Sequence, residues 1–168
     1  MICGLIGRKL GHSYSPQIHK ALADYDYRLW ELEPEEVEPF LRRRAFAGIN
    51  VTIPYKQQVI PFLNEISPRA KAIGAVNTIV NRDGRLYGDN TDFAGMAALI
   101  RRIGVDMTGK RVLILGTGGT SRTAHAVAQS MGAAEIRHVS RSGRDGALTY
   151  EEAAARHGDA QVIINTTP

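Results

Sequence analysis

Apolar residues in the first fifty positions alternate between short continuous runs and helical spacings. Ile2 to Ile6 is one strand's length of apolar chain, and the glycine- and serine-rich stretch from Gly7 to Ser15 reads as a loop. Ser15-Pro16 then reads as a helix start, with serine as N-cap, proline at the first helical position, and Ile18, Leu22 and Tyr25 on one face. Tyr27 to Leu32 reads as a second strand. Glu33-Pro34-Glu35-Glu36 opens a second helix whose acidic first turn suits its dipole. Phe46 to Ile53 is a third strand that stops at Pro54. This strand-helix-strand-helix-strand order predicts an α/β fold with a largely parallel sheet.

Farther along, Pro54 to Leu63 and Pro68 to Ile73 read as short helices with proline starts. Ala75 to Val80 and Arg85 to Tyr87 flank Asn81-Arg82-Asp83-Gly84, a hairpin signal built on Asp-Gly. Thr91 to Ile103 is a helix ending at Gly104, with Phe93, Met96, Ala97 and Ile100 on one face. Lys110 to Leu115 is an apolar strand, Ser121 to Met131 a helix ending at Gly132, and Ile136 to Val139 the next strand. A helix begins at Thr149-Tyr150-Glu151-Glu152, and Val162 to Asn165 is the last strand. The pattern divides the chain near Gly104 to Gly109, into residues 1–104 and 105–168.

The glycines between strand and helix supply the first chemical signal. Gly116-Thr117-Gly118-Gly119-Thr120-Ser121 follows an apolar strand and opens a helix, the order in which a dinucleotide-binding half offers backbone N–H groups to a pyrophosphate. Ser121 stands where the third glycine of such a fingerprint usually sits. At the end of the next strand, a site for NAD would carry an acidic residue; this chain has Ser140-Arg141-Ser142, with Arg144 nearby. A guanidinium and two hydroxyls suit a ribose 2′-phosphate that a carboxylate would repel, so NADP is favoured over NAD. Residues 105–168 therefore read as the first half of a Rossmann-type NADP-binding domain.

The residues before Gly104 then have to supply a substrate site. Ser13 and Ser15, one residue apart at a helix start, can bind a carboxylate, although Ser15 would serve equally as a plain cap. Strand alternation puts Asn50 and Thr52 on one side, with Val51 and Ile53 buried opposite. Lys56, just past Pro54, is placed to reach the crevice at the carboxyl end of that strand, although most lysines simply face water. Asn77 interrupts an apolar stretch, so its amide needs partners. Asp92 follows Thr91 in a helix's first turn, where a charge–dipole contact alone would account for it.

Composition narrows the class. Hydrophobic residues make up 43% and charged residues 23% of the 168, ordinary values for a globular protein. One cysteine, Cys3, excludes an intramolecular disulfide and fits a reducing, cytoplasmic setting. No apolar run is long enough to cross a bilayer, and the first residues do not read as a signal peptide. The net charge of +4 is dispersed, apart from Arg42-Arg43-Arg44 and Arg101-Arg102 at predicted helix ends. That pattern argues against a nucleic-acid partner and suits an anionic small molecule with a phosphorylated cofactor. No metal site is expected.

Taken together, six segments resemble the shikimate dehydrogenase family: His12 to Pro16, Gly48 to Lys56, Gly74 to Thr78, Gly88 to Asp92, Gly116 to Ser121 and Ile164 to Thr167. They occur in the family's order and span nearly the whole chain. The resemblance implies NADPH-dependent reduction of 3-dehydroshikimate to shikimate, with quinate/shikimate dehydrogenases of relaxed NAD or NADP use as the near alternative. It implies that Ser13 and Ser15 bind the substrate carboxylate and that Asn77 and Asp92 hold ring hydroxyls. Asn50, Thr52 and Lys56 line the same pocket, and Lys56 and Asp92 form the catalytic pair. Arg141 corresponds to the family's NADP arginine. Arg144 stands one position early for the second basic residue, with Asp145 in its place. The resemblance also implies that the sheet of the second half continues beyond Pro168: either a longer protein has been cut, leaving a ligand-binding fragment without turnover, or a partner copy in a homodimer covers the edge.

Overall fold

The structure, a computed structural model, describes residues 1–167 and resolves into two compact units, Met1–Thr91 and Asp92–Pro168. The first contains β1 (Ile2–Gly7), α1 (Ser15–Leu22), β2 (Asp26–Glu31), α2 (Pro34–Arg43), β3 (Gly48–Val51), β4 (Glu65–Ile66), α3 (Pro68–Ile73), β5 (Thr78–Arg82) and β6 (Arg85–Asp89). The second contains α4 (Asp92–Arg102), β7 (Arg111–Leu115), α5 (Gly119–Ser130), β8 (Glu135–Val139), α6 (Tyr150–His157) and β9 (Val162–Asn165).

The first unit is a six-stranded sheet in the order β2-β1-β3-β5-β6-β4. β1 pairs parallel with β2 and β3, as the alternation of strands and helices predicts. β5 is antiparallel to β3 and β6. Asp83 and Gly84, at φ 51° and 80°, make the two-residue turn between β5 and β6 that the Asp-Gly signal announced. One face of the sheet packs on α2, whose Val37, Phe40 and Leu41 are buried at spacings of three and four with Ile6, Ile49, Val51 and Ile79. Each such side chain contributes about 1.5–3 kcal/mol on full burial, so this cluster holds the strand ends in place. A capping box between Glu33 and Glu36 starts α2, and Arg42 and Arg43 close it.

Four local expectations change. Tyr14, not Ser15, is the cap residue of α1; Ser15 is already helical and no side chain caps the helix. Ile18 and Leu22 share a face, but it is exposed, at 55% and 74%. Val51 is buried and Ile53 is 58% exposed, because the chain has left β3 before the cis Ile53–Pro54 bond. Pro54 to Leu63 is a set of turns with a single 3₁₀ turn at Ile60–Phe62.

The second unit is a parallel three-stranded sheet, β8-β7-β9, covered on both faces. Val112 and Ile114 pack with Ala124, Val127 and Ala128 of α5, while Leu113 packs with Val139 and with Ala153 of α6. Double coverage explains why β7 reads as a continuous apolar run. Ala97 and Ile100 of α4 belong to the same cluster as α5. The division of the chain therefore falls before α4, at Thr91–Asp92, and not after it near Gly104: a helix's spacing shows that it has an apolar face but not which sheet that face meets.

Candidate functional site

In the first unit, the candidate substrate residues are brought to the carboxyl ends of β1 and β3 by backbone pairing. Thr52 N–H donates to the Ile6 carbonyl at 3.0 Å and Val51 N–H to the Asn77 carbonyl at 2.8 Å. Val76 N–H donates to the Lys56 carbonyl at 2.7 Å. Asn50, Thr52, Lys56 and Asn77 thus occupy one neighbourhood, although up to 27 positions separate them in the sequence. Gly7 permits it: a Cβ there would lie 2.6 Å from Thr52 Cγ2 and 2.7 Å from Leu10 Cδ2.

Asn77 is 8% exposed and sits just before β5, not inside it. Its Oδ1 accepts from Thr91 N–H at 2.9 Å and from the Thr78 hydroxyl at 3.0 Å, and its Nδ2 donates to Thr91 Oγ1 at 3.0 Å. The amide therefore ties the start of β5 to the residue before α4, and Asp92 is the next residue along. A cavity of about 400 Å³ borders this network, lined by Ser67, Thr78, Tyr87, Asp89 and Thr91 among others. Lys56 and Asp92 are both half-buried, Lys56 in the first unit and Asp92 as the first residue of the second.

At the start of α1, Ser13 Oγ accepts from Ser15 N–H at 3.3 Å, and both serines are half-buried beside the exposed Tyr14. Sequence reasoning missed Tyr27. Its hydroxyl donates to Asn50 Oδ1 at 2.8 Å. Burial is the main cause that pushes the Tyr27 phenol above its usual range, so it is held as a neutral O–H donor. A tyrosine at a strand position ordinarily signals packing, so only the tertiary pairing shows this link.

The second unit presents the glycine turn. Gly116 has φ 116°, and a Cβ on it would lie 2.7 Å from Thr166 Oγ1, which itself donates to the Leu115 carbonyl at 2.6 Å. Only glycine satisfies both demands. Gly118 is the extended N-cap of α5, and no side chain caps that helix. The first-turn N–H groups of Gly119 and Thr120 are therefore presented as an anion-binding end, with Thr117 and Gly118 exposed before them. Ser121 acts differently: it is buried and its hydroxyl donates to the Gly118 carbonyl at 2.7 Å, bracing the turn from inside.

Beneath the turn lies a histidine pair that the sequence did not signal. His125 Nδ1 and His138 Nε2 are 3.0 Å apart, and His138 Nδ1 is 3.3 Å from the Gly116 carbonyl. His138 donates from Nδ1 to that carbonyl and accepts from His125 at Nε2. Burial first, then the neighbouring His138, holds the His125 imidazole below the usual histidine range. After β8, Ser140 Oγ accepts from Gly143 N–H at 3.1 Å, which folds the loop back and leaves Arg141, Ser142 and Arg144 exposed. Two guanidiniums beside an uncapped helix N-terminus fit a phosphorylated dinucleotide by charge and by hydrogen-bond donors. Among the described residues, no group of His, Cys, Asp and Glu could hold a metal ion, and no helix is long and apolar enough to cross a membrane.

Comparison with known proteins gives one consistent answer. Residues 5–79 match the family model of the shikimate dehydrogenase substrate binding domain. A relative from Clostridium beijerinckii named shikimate dehydrogenase (NADP(+)) is 37% identical over 182 residues, covering 98% of this chain and 67% of its own. One from Geobacillus kaustophilus with the same name is 38% identical, covering 99% and 68%. Among solved structures, shikimate dehydrogenase 1 from Peptoclostridium difficile superposes with a TM-score of 0.90 at 37% identity, over 99% of this chain and 66% of that one. The Thermus thermophilus enzyme in complex with NADP(H) and shikimate gives 0.85 at 30% identity, over 99% and 68%. This chain thus spans about two thirds of the length of these relatives.

Proposed function

The chain belongs to the shikimate dehydrogenase family, and we propose that it carries the substrate-binding and NADP-binding parts of an oxidoreductase interconverting 3-dehydroshikimate and shikimate. The observation that carries this reading is the convergence of Asn50, Thr52, Lys56 and Asn77 at the end of β3, fixed by main-chain hydrogen bonds between β1, β3 and the Asn77 segment. Ser13 and Ser15 supply hydroxyl donors for a carboxylate at the start of α1. Thr52 and Asn77 supply neutral donors and acceptors for ring hydroxyls. When bound, NADPH would supply the hydride, with Gly116 to Thr120 holding the pyrophosphate and Arg141 and Ser142 the 2′-phosphate.

Lys56 serves the oxygen at the reacting carbon. In reduction that oxygen gains negative charge, which an ammonium stabilises while donating or relaying a proton; in oxidation the amine receives it. Asp92 is the acidic member of the catalytic pair that the family resemblance implies. Arginine could stabilise charge at such a position but holds its proton too tightly to exchange it.

The test is Lys56→Ala, assayed for NADP⁺-dependent shikimate oxidation by absorbance and for shikimate affinity by calorimetry. Removal of a proton-transfer group predicts a fall in kcat of about 10²–10⁴-fold with affinity changed only a few-fold. Full turnover in the variant would remove Lys56 from the chemistry.

A further inference from the structure

Tyr27 reaches from β2 across β1 to β3, the strand that carries Asn50. It lies on β2, opposite Cys3 of β1, and Cys3 in turn lies opposite Gly48 of β3. In parallel pairing these three share one face of the sheet. The small residues at 3 and 48 leave the phenol room to lean across β1 and donate to Asn50 Oδ1 at 2.8 Å.

The ring is fixed as well as the hydroxyl. His19, four residues after Ser15 on α1, stacks on Tyr27 with ring centroids 3.9 Å apart and 16° between planes. His19 Nδ1 is hydrogen-bonded to the Tyr25 hydroxyl, which limits rotation of the imidazole. Helix α1 therefore holds the Tyr27 ring in place through His19.

We propose that Tyr27 is a positioning residue for the substrate-binding end of this site, acting through Asn50. An asparagine amide can present either its carbonyl or its NH₂ to a ligand. With Oδ1 engaged by the Tyr27 hydroxyl, the Nδ2 donors remain for a ligand. A donor set before the ligand arrives loses less freedom on binding, so affinity rises without a new contact. The proposal rests on the reading of Asn50 as a substrate residue.

The experiment is calorimetric titration of shikimate into the unmodified chain, Tyr27→Phe, Asn50→Ala and the double variant, with NADP⁺ titrated in parallel. Phenylalanine keeps the stack on His19 and removes only the hydroxyl, and Trp30 fluorescence confirms that the first unit remains folded. Tyr27→Phe should weaken shikimate about tenfold, the worth of one oriented hydrogen bond, and leave NADP⁺ affinity unchanged. In the Asn50→Ala background the same change should cost less than about twofold, because its route to the ligand is already cut. Unchanged shikimate affinity in Tyr27→Phe, with loss in Asn50→Ala, would overturn the proposal and leave the site reading intact. Independent, multiplicative losses would overturn it too. Absence of shikimate binding by the unmodified chain would overturn the reading and the proposal together.

Discussion

Replacement of Asn77 separates a structural tie from a mere polar lining. In Asn77→Ala the Thr78 and Thr91 hydroxyls, 3.5 Å apart, can turn to each other or to water. The Thr91 N–H, which donates to Asn77 Oδ1 at 2.9 Å, has no such freedom. A part-buried donor left without an acceptor costs about 1–3 kcal/mol, and the lost amide contacts add about 1 kcal/mol, giving a total of about 2–4 kcal/mol. Asn77→Asp keeps the acceptor, and the Thr91 hydroxyl can donate where it previously accepted from Nδ2. The aspartate should therefore cost less than about 1 kcal/mol. The assay is urea unfolding followed by Trp30, the one tryptophan in the chain and a residue packed against the core of the first unit. With a slope of about 1–1.5 kcal/mol/M for a unit of this size, alanine should lower the midpoint by about 1.3–4 M and aspartate by under about 1 M. Equal losses in the two variants, or an alanine shift below about 0.5 M, would refute the assignment of Asn77 Oδ1 as the acceptor that holds the segment before α4.

Three further outcomes follow from the second unit. Gly116→Ala forces an L residue to φ 116° and its Cβ toward the Thr166 hydroxyl, a strain of about 1–3 kcal/mol; NADP⁺ affinity by calorimetry should fall about tenfold or more while shikimate affinity holds, and an unchanged NADP⁺ affinity would exclude the turn from the cofactor site. The depressed His125 imidazole binds its proton less tightly folded than unfolded, so it contributes stability that is present above about pH 6.5 and is lost as the pH falls through its folded value. Thermal midpoints of the second unit should therefore drop as the pH falls below about 6.5, and His125→Leu should flatten that slope; an unaltered slope would count against it. Arg141→Ala should weaken NADP⁺ about 10–100-fold and leave NAD⁺ unaffected, as expected for a charged hydrogen bond to the 2′-phosphate; equal losses for both cofactors would remove Arg141 from that contact.

Much of the architecture is legible in the residues because local geometry dictates it. Asp83-Gly84 makes its hairpin turn since few other pairs accept two positive φ angles, and Thr149 with Glu152 builds the capping box that starts α6. Gly116 and Gly118 lie between β7 and α5, and Gly119 opens α5, as their order required. Local composition misleads where the neighbouring chain decides. Ser15-Pro16 has the composition of a cap, yet Tyr14 takes the cap position and Ser15 is already helical. The apolar positions of α4 are correctly spaced, but their packing with α5 assigns the helix to the second unit.

By itself the amino-acid order determined the strands, the helices, the glycine turn and the chemical types available at each end, because backbone preference and side-chain chemistry act over a few residues. Only the folded structure decided that Asn77 reaches Thr91, that Tyr27 reaches Asn50, and that His138 lies under the Gly116 carbonyl. Those contacts join residues 14 to 23 positions apart through sheet register and helix packing, and register is set by the burial of whole faces rather than by either residue in the pair.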